Sequence, residues 1–138
     1  MPRLTPNGGP PASHAMEHLA DVVNGDGGLV HRGRHVDLEW LWQVDAVPYH
    51  VRIQHGLVVE LVRGPVLMRS HRFAVRGPAD SWERFWAPMP RPGFHDLFAM
   101  MKTGRASIDG DLQPLMANLR YFKEVLAAPR RLADGHHG

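Results

Sequence analysis

The spacing of apolar positions changes period twice along this chain, from helical to alternating and back. Within "SHAMEHLADVVNG", residues 13 to 25, Met16, Leu19, Ala20 and Val23 recur at helical spacing. Ser13 stands where an N-cap belongs and Gly25 where a helix stops, so a first helix is predicted. The next stretch, "GDGGLVHRGRH", is dense in turn formers and reads as a turn; its glycine spacing fits neither the P-loop nor the dinucleotide-binding fingerprint. From Val36 the period becomes two. "VDLEWLWQV" sets Val36, Leu38, Trp40, Trp42 and Val44 on one face and Asp37, Glu39, Leu41 and Gln43 on the other, the pattern of a half-buried strand. After "DAVP" turns the chain, "YHVRIQH" places Tyr49, Val51 and Ile53 opposite His50, Arg52 and Gln54. "LVVELVR" is more uniformly apolar, as suits a central strand. "SHRFAVRG" offers His71, Phe73 and Val75 to one side and Arg72, Ala74 and Arg76 to the other. Four consecutive strands with short connections imply an antiparallel meander.

Beyond Gly77 the helical period returns. Pro78 suits a first turn, and Trp82, Phe85 and Trp86 form one bulky stripe before "PMPRPG" interrupts it. Pro92 can open another helix, with Phe94, Leu97, Phe98 and Met101 on one side and Gly104 closing it. "RASID" predicts a short fifth strand. Asp111 then caps a last helix, with Pro114 in the first turn, where no N–H is needed. Its side carries Leu115, Met116, Leu119, Phe122 and Leu126 until Pro129 stops it. Residues 1–12, with four prolines and two glycines, read as a disordered or loosely docked arm, and residues 130–138 as a frayed tail, leaving a single domain over 13–129.

Composition narrows the class. A chain of 138 residues supports one core, its 43% hydrophobic and 22% charged content is that of a globular domain, and no apolar run nears the roughly 18 to 20 residues of a membrane span. The start, "MPRLTPNGGPPASHAM", lacks the apolar middle of a secretion signal, and a cytoplasmic setting is expected. With no cysteine, disulfides, thiolate catalysis and cysteine-type zinc sites are excluded. A formal charge of +2 demands no polyanionic partner, so no nucleic acid is expected. Arg63, Arg69, Arg72 and Arg76 cluster, either to touch phosphates or lipid head groups or, more simply, to pair with carboxylates on solvated strand edges.

Candidate chemistry is sparse. His31 and His35 stand four apart, but the intervening "RGR" argues against a shared helix and HExxH is missing, so no metal is assigned. His50, His55, His71 and His95 fall on separate elements. Ser13, Ser70, Ser81 and Ser107 sit in no nucleophile-elbow context, and Asp37 and Glu39 read as the wet face of a strand, with Arg52 as a cross-strand partner. No catalytic residue and no cofactor is assigned. The distinctive feature is bulk: four tryptophans with Phe73, Phe85, Phe94, Phe98, Met100, Met101 and Met116 either fill a core or line an adaptable apolar site.

In its second half the chain resembles the sterol carrier protein 2 family. "FAVRGPADSWERFWA" is similar to that family's strand, glycine-containing turn and tryptophan-bearing helix. "FHDLFAMMKTGRASIDGDLQPLMANLRYF" resembles its apolar helix, basic-flanked glycine, short strand, Gly-Asp and helix, with Trp82, Gly104, Ile108, Gly110, Asp111, Leu115 and Met116 as landmarks. The resemblance implies an α+β fold, a five-stranded, largely antiparallel sheet covered by helices, with an apolar cavity between the layers for a fatty acyl chain, acyl-CoA or a sterol. The residues expected to face such a lipid are Trp40, Trp42, Phe73, Trp82, Phe85, Trp86, Phe94, Phe98, Met101, Leu115, Met116 and Leu119. The "APMPRPG" connection and the Trp40–Trp42 strand depart from the family pattern. Transient membrane contact and a homodimer are compatible with a carrier of this kind. Two other readings stay open: an enzyme or enzyme subunit using His71 or His95 as acid/base groups on a small apolar substrate, and a module that binds another protein through an aromatic stripe.

Overall fold

A computed structural model describes residues 4–64 and 70–134. Along the chain come α1 (Ala12–Glu17), α2 (Leu19–Asn24), α3 (Gly27–Arg32), β1 (Asp37–Val44), β2 (Val47–Gln54), β3 (Leu57–Arg63), β4 (Phe73–Gly77), α4 (Ala79–Phe85), α5 (Leu97–Lys102), β5 (Ser107–Gly110), α6 (Gln113–Ala117), α7 (Leu119–Ala127) and α8 (Arg130–Asp134). The architecture is α+β: a five-stranded sheet in the order β3-β2-β1-β4-β5, sharing one core with side chains of α1, α2, α4 and α7.

The alternation in β1 and β2 fixes their pairing. They run antiparallel from Asp37 opposite Gln54 to Val44 opposite Val47, which sets Glu39 across from Arg52 as the sequence pattern predicts. The fourth strand does not extend this meander. β4 returns to the far side of β1 and pairs with it in parallel, Leu41 with Ala74 through Val44 with Gly77, and β5 adds antiparallel to β4. β3 is consequently an edge strand, not a central one. Its apolar density is only partly buried: the register slips near Arg52 and Ile53, so that Val58 pairs with Ile53 and Leu61 with Val51, while Leu57 and Val59 stay exposed. Such a bulge puts residues three apart on the same face. The exposed backbone of this edge is met by Asn24, whose side-chain amide donates to the Val58 carbonyl at 2.9 Å and accepts from the Val58 N–H at 2.8 Å.

The helices are shorter than their apolar stripes suggest. The first predicted helix is two, α1 and α2, bent at His18 (φ −103°, ψ 5°), and the residue preceding α1 is Pro11, not Ser13. The glycine-rich stretch after it is no turn: Asp26 caps α3 by accepting the Leu29 N–H at 3.2 Å, and Leu29 is buried. That cap, with Arg131 beside it, holds the Asp26 carboxyl below the ordinary aspartate range. α5 begins at Leu97 under an Asp96 cap, later than Pro92, so Phe94 precedes it. The last helix is broken at Asn118 (φ −125°, ψ 36°), and Asp111 stands before the capping position, its carboxylate accepting the Gln113 N–H at 3.2 Å. Arg130–Asp134, expected to fray, is a short helix whose Arg130 guanidinium donates to the Phe85 carbonyl. The arm from Leu4 packs against α4: Gly9 is buried over the Glu83 backbone, and the Ala12 N–H donates to Glu83 Oε2 at 3.0 Å.

The second face of the sheet departs from the simple alternation. Leu41 is 8% exposed and His50 and Ala74 are fully buried, although all three belong to the side that the pattern marks as wet. The chain returning from β3 to β4 brings the Ser70 carbonyl within 3.2 Å of His50 Nε2.

Candidate functional site

The two-residue period of β1 sends Trp40 and Trp42 to the same side, where helices cover them. Their rings stack with centroids 5.4 Å apart. Phe73 of β4 stacks on Trp40 at 5.7 Å, and Phe122 of α7 meets Trp40 edge-on at 5.9 Å. Trp42 is met edge-on by Trp82 of α4 at 5.4 Å and by Trp86 at 6.0 Å. Sheet and helices are thus joined by interlocked rings, each pair contributing roughly 0.5–1.5 kcal/mol beyond the area it buries.

Every indole in this layer carries an N–H that has left water, and the fold treats the four unequally. Trp86 donates to the Leu126 carbonyl at 2.8 Å, and Trp82 to the Gly77 carbonyl at 3.2 Å. Trp40 Nε1 and Trp42 Nε1 are buried with no acceptor among the described residues. No lysine or arginine among the described residues is fully buried, and the half-buried Arg130 guanidinium lies 5.1 Å over the Phe85 ring.

The twelve residues expected to face a ligand are only partly brought together. Trp40, Trp42, Phe73, Trp82, Phe85, Trp86 and Leu115 are buried in the shared core. Phe94, Phe98, Met101 and Leu119 are half-buried. Phe94 lies between the guanidinium groups of Arg84 and Arg105, 5.5 and 5.4 Å from its ring centre, and Lys123 Nζ sits 4.9 Å over Phe98. Met101 lines a shallow concavity of about 480 Å³ shared with Arg76, Pro78 and Arg105. Met116 is 53% exposed and turned away from the core. A break of the terminal helix at Asn118 separates it from the buried stripe of Phe122, Val125 and Leu126.

Polar groups cluster elsewhere. His71 and His95 are exposed, and His31 lies in the last turn of α3 with His35 beyond its end, so those two imidazoles share no helix. Of the arginine cluster, Arg72 pairs with Asp111 at 3.7 Å and Arg76 with Asp109 at 2.8 Å; Arg69 lies outside the described residues. A concavity of about 370 Å³ on the second face of the sheet is lined by Asp37, Glu39, Arg52, Gln54 and Arg72, and Glu39 Oε2 lies 3.9 Å from His50 Nε2. Unsuspected from motif patterns, "HAMEH" brings one ligand atom each of His14, Glu17 and His18 within 4.8 Å of the others at the α1–α2 bend. Two imidazoles and a carboxylate at that spacing could hold a divalent cation. Burial, and then the charge of His18, lower the His14 pKa. The spacing is legible in the sequence, but its carboxylate precedes the second histidine where HExxH has it follow the first.

No family model matches the sequence, and no curated protein matches it. Solved structures do. A crystal structure of sterol carrier protein 2 superposes with a TM-score of 0.66 at 11% identity, over 85% of this chain and 94% of that one. A conserved hypothetical protein from Thermus thermophilus, described as possibly a sterol carrier protein, gives 0.58 at 9% identity over 94% and 92%. The ubiquinone synthesis protein UbiJ-SCP2 gives 0.55 at 12% identity over 88% and 89%. The likeness is one of fold, carried by layers and connections that the sequences barely share. No helix among the described residues is long and apolar enough to cross a membrane.

Proposed function

We propose that this chain, built on the sterol carrier protein 2 fold, binds an apolar small molecule between its helices and the Trp40–Trp42 face of its sheet. The observation that carries this reading is the aromatic layer itself, in which Trp40, Trp42, Phe73, Trp82 and Trp86 are gathered from β1, β4 and the α4 segment. Affinity would come from removing ligand surface from water, about 25 cal/mol per Å² of apolar area, without any catalytic group. Fatty acyl, acyl-CoA and sterol-like molecules suit the layer, and similarity to a ubiquinone synthesis protein adds ubiquinone-like molecules to that range. Access requires the helices to part from the sheet. The short α6, broken from α7 at Asn118, is the element suited to move, and its exposed Met116 with neighbouring Leu112 gives the apolar contact for a brief visit to a membrane.

Exposure of His71 and His95 gives the enzyme alternative no acid/base pair inside the apolar layer. Native mass spectrometry of untreated protein tests the binding proposal, with bound lipid mass expected on the folded protein. Titration with acyl chains should shift or quench the emission of the buried tryptophans. Protein that carries no extractable lipid and whose emission ignores every apolar probe does not have this function.

A further inference from the structure

We infer that the ligand of this layer is a neutral molecule that presents a hydrogen-bond acceptor oxygen, a carbonyl or hydroxyl, to the unpartnered indole N–H groups of Trp40 and Trp42. The inference rests on the binding proposal and narrows it to a chemical class.

The four tryptophans fall into two pairs. Trp82 and Trp86 reach backbone carbonyls at 3.2 and 2.8 Å, while Trp40 and Trp42, equally buried, reach none among the described residues. A buried indole N–H ordinarily finds a partner, because leaving a donor unpaired forfeits the hydrogen bond it made with water. Two such donors stand on stacked rings 5.4 Å apart, on the strand that the rest of the sheet is built around. The rings packed against theirs are those of Phe73, Phe122, Trp82 and Trp86, none of which carries an acceptor oxygen. If filling space were the whole role of these positions, phenylalanine would do it without a stranded donor. The donors therefore mark where an acceptor from outside the chain sits.

The position of the nearest charge restricts that acceptor. The half-buried Arg130 guanidinium stands over the Phe85 ring, at 5.1 Å, and no lysine or arginine stacks on Trp40 or Trp42 among the described residues, so a carboxylate at these two indoles would be buried without a counter-ion, which is far costlier than burying a neutral oxygen. Esters, ketones, quinone carbonyls and alcohols offer an acceptor oxygen without that penalty, and a plain alkane offers none.

The test measures binding of methyl dodecanoate, dodecanol, dodecanoate and dodecane by quenching of tryptophan emission, in the wild type and in the variants W40F, W42F and W40F/W42F. The ester and alcohol should bind the wild type about tenfold more tightly than dodecane, the value of one net hydrogen bond. They should also bind more tightly than dodecanoate, and the preference over dodecane should shrink to about twofold in the double variant, or in each single variant if the double one does not fold. Equal binding of all four probes, a preference that survives the substitutions, or tighter binding of the carboxylate would overturn the inference while leaving apolar binding intact. Failure of every probe to bind removes the binding proposal as well, so the two failures are told apart. Melting temperature gives a second, ligand-free readout. W40F and W42F should each lower it less than W86F, by about 3 °C or more, because W86F loses a hydrogen bond that the other two never made. Equal losses would mean that an ordered water already pairs the two N–H groups, and the inference would fall.

Discussion

Tyr121 is held by two contacts, each sensitive to a change of a single atom, and its burial shows in its ionisation. Its hydroxyl donates to the Gly56 carbonyl at 2.7 Å, its ring lies where a Cβ on Gly33 would come within 2.2 Å, and burial pushes its phenol well above the usual tyrosine range. Gly56 sits at φ +82°, where a Cβ would also lie 2.4 Å from the Val30 carbonyl oxygen. Removing the hydroxyl in Y121F leaves a buried carbonyl without its donor and should cost about 1–2 kcal/mol in urea denaturation. G56A, which combines backbone strain with a backbone clash, should cost more, about 2–3 kcal/mol; stability equal to wild type in either variant would contradict this account. Glu83 gives a pH dependence of known sign. Burial, opposed in part by the Ala12 N–H, raises its pKa above the ordinary 4.5. The folded protein therefore binds this proton more tightly than the unfolded chain does, and the contribution to stability is lost as pH rises from about 4.5 through the folded value. E83Q keeps an oxygen for Ala12 while removing the charge, so its melting temperature at neutral pH should equal or exceed that of the wild type. A lower value would mean that the carboxylate itself is required.

Single elements differ from their sequence patterns for reasons that lie in particular residues. The alternation from Val36 to Val44 corresponds closely to β1, because a period of two has few other realisations, and the flanking Gly56 and Gly64 bound "LVVELVR" as β3. The breaks at His18 and Asn118 were not legible, since neither residue is a proline or glycine and the apolar stripe runs on through both. α3 was hidden by its own glycines; the Asp26 cap and the buried Leu29 override their poor helix propensity. The exposed edge of β3 is covered at Val58 by Asn24, a residue with no signal in the pattern. Its amide imitates a neighbouring strand at Val58, and N24A should lose about 1–3 kcal/mol with those two hydrogen bonds. The same variant should show concentration-dependent association by light scattering, as expected of an uncovered sheet edge. A strictly monomeric N24A of unchanged stability would show that the amide protects nothing.

At the scale of the molecule, the two-layer arrangement was legible because the stripes of three predicted helical segments and one strand face required each other. Its strand order was not. A meander and a sheet in which the fourth strand crosses back obey the same local periodicity, and only the choice of partner for β4 distinguishes them. The candidate site shows the same division. Seven of the twelve residues expected to face a ligand lie in the buried core, whereas Met116 points outward and Phe94 and Phe98 are capped by cations. Which indoles lack a partner depends on backbone carbonyls contributed by distant segments, information that no single stretch contains.

The parallel seam between β1 and β4 also bears on how the chain reaches this state. β1, β2 and β3 can zip together through tight hairpins, but joining Leu41 to Ala74 requires a long excursion to close first, with its entropy lost before any bond in the seam is gained. Refolding should therefore be paced by that closure, and the aromatic layer, which draws rings from both sides of the seam, should be among the last parts to consolidate.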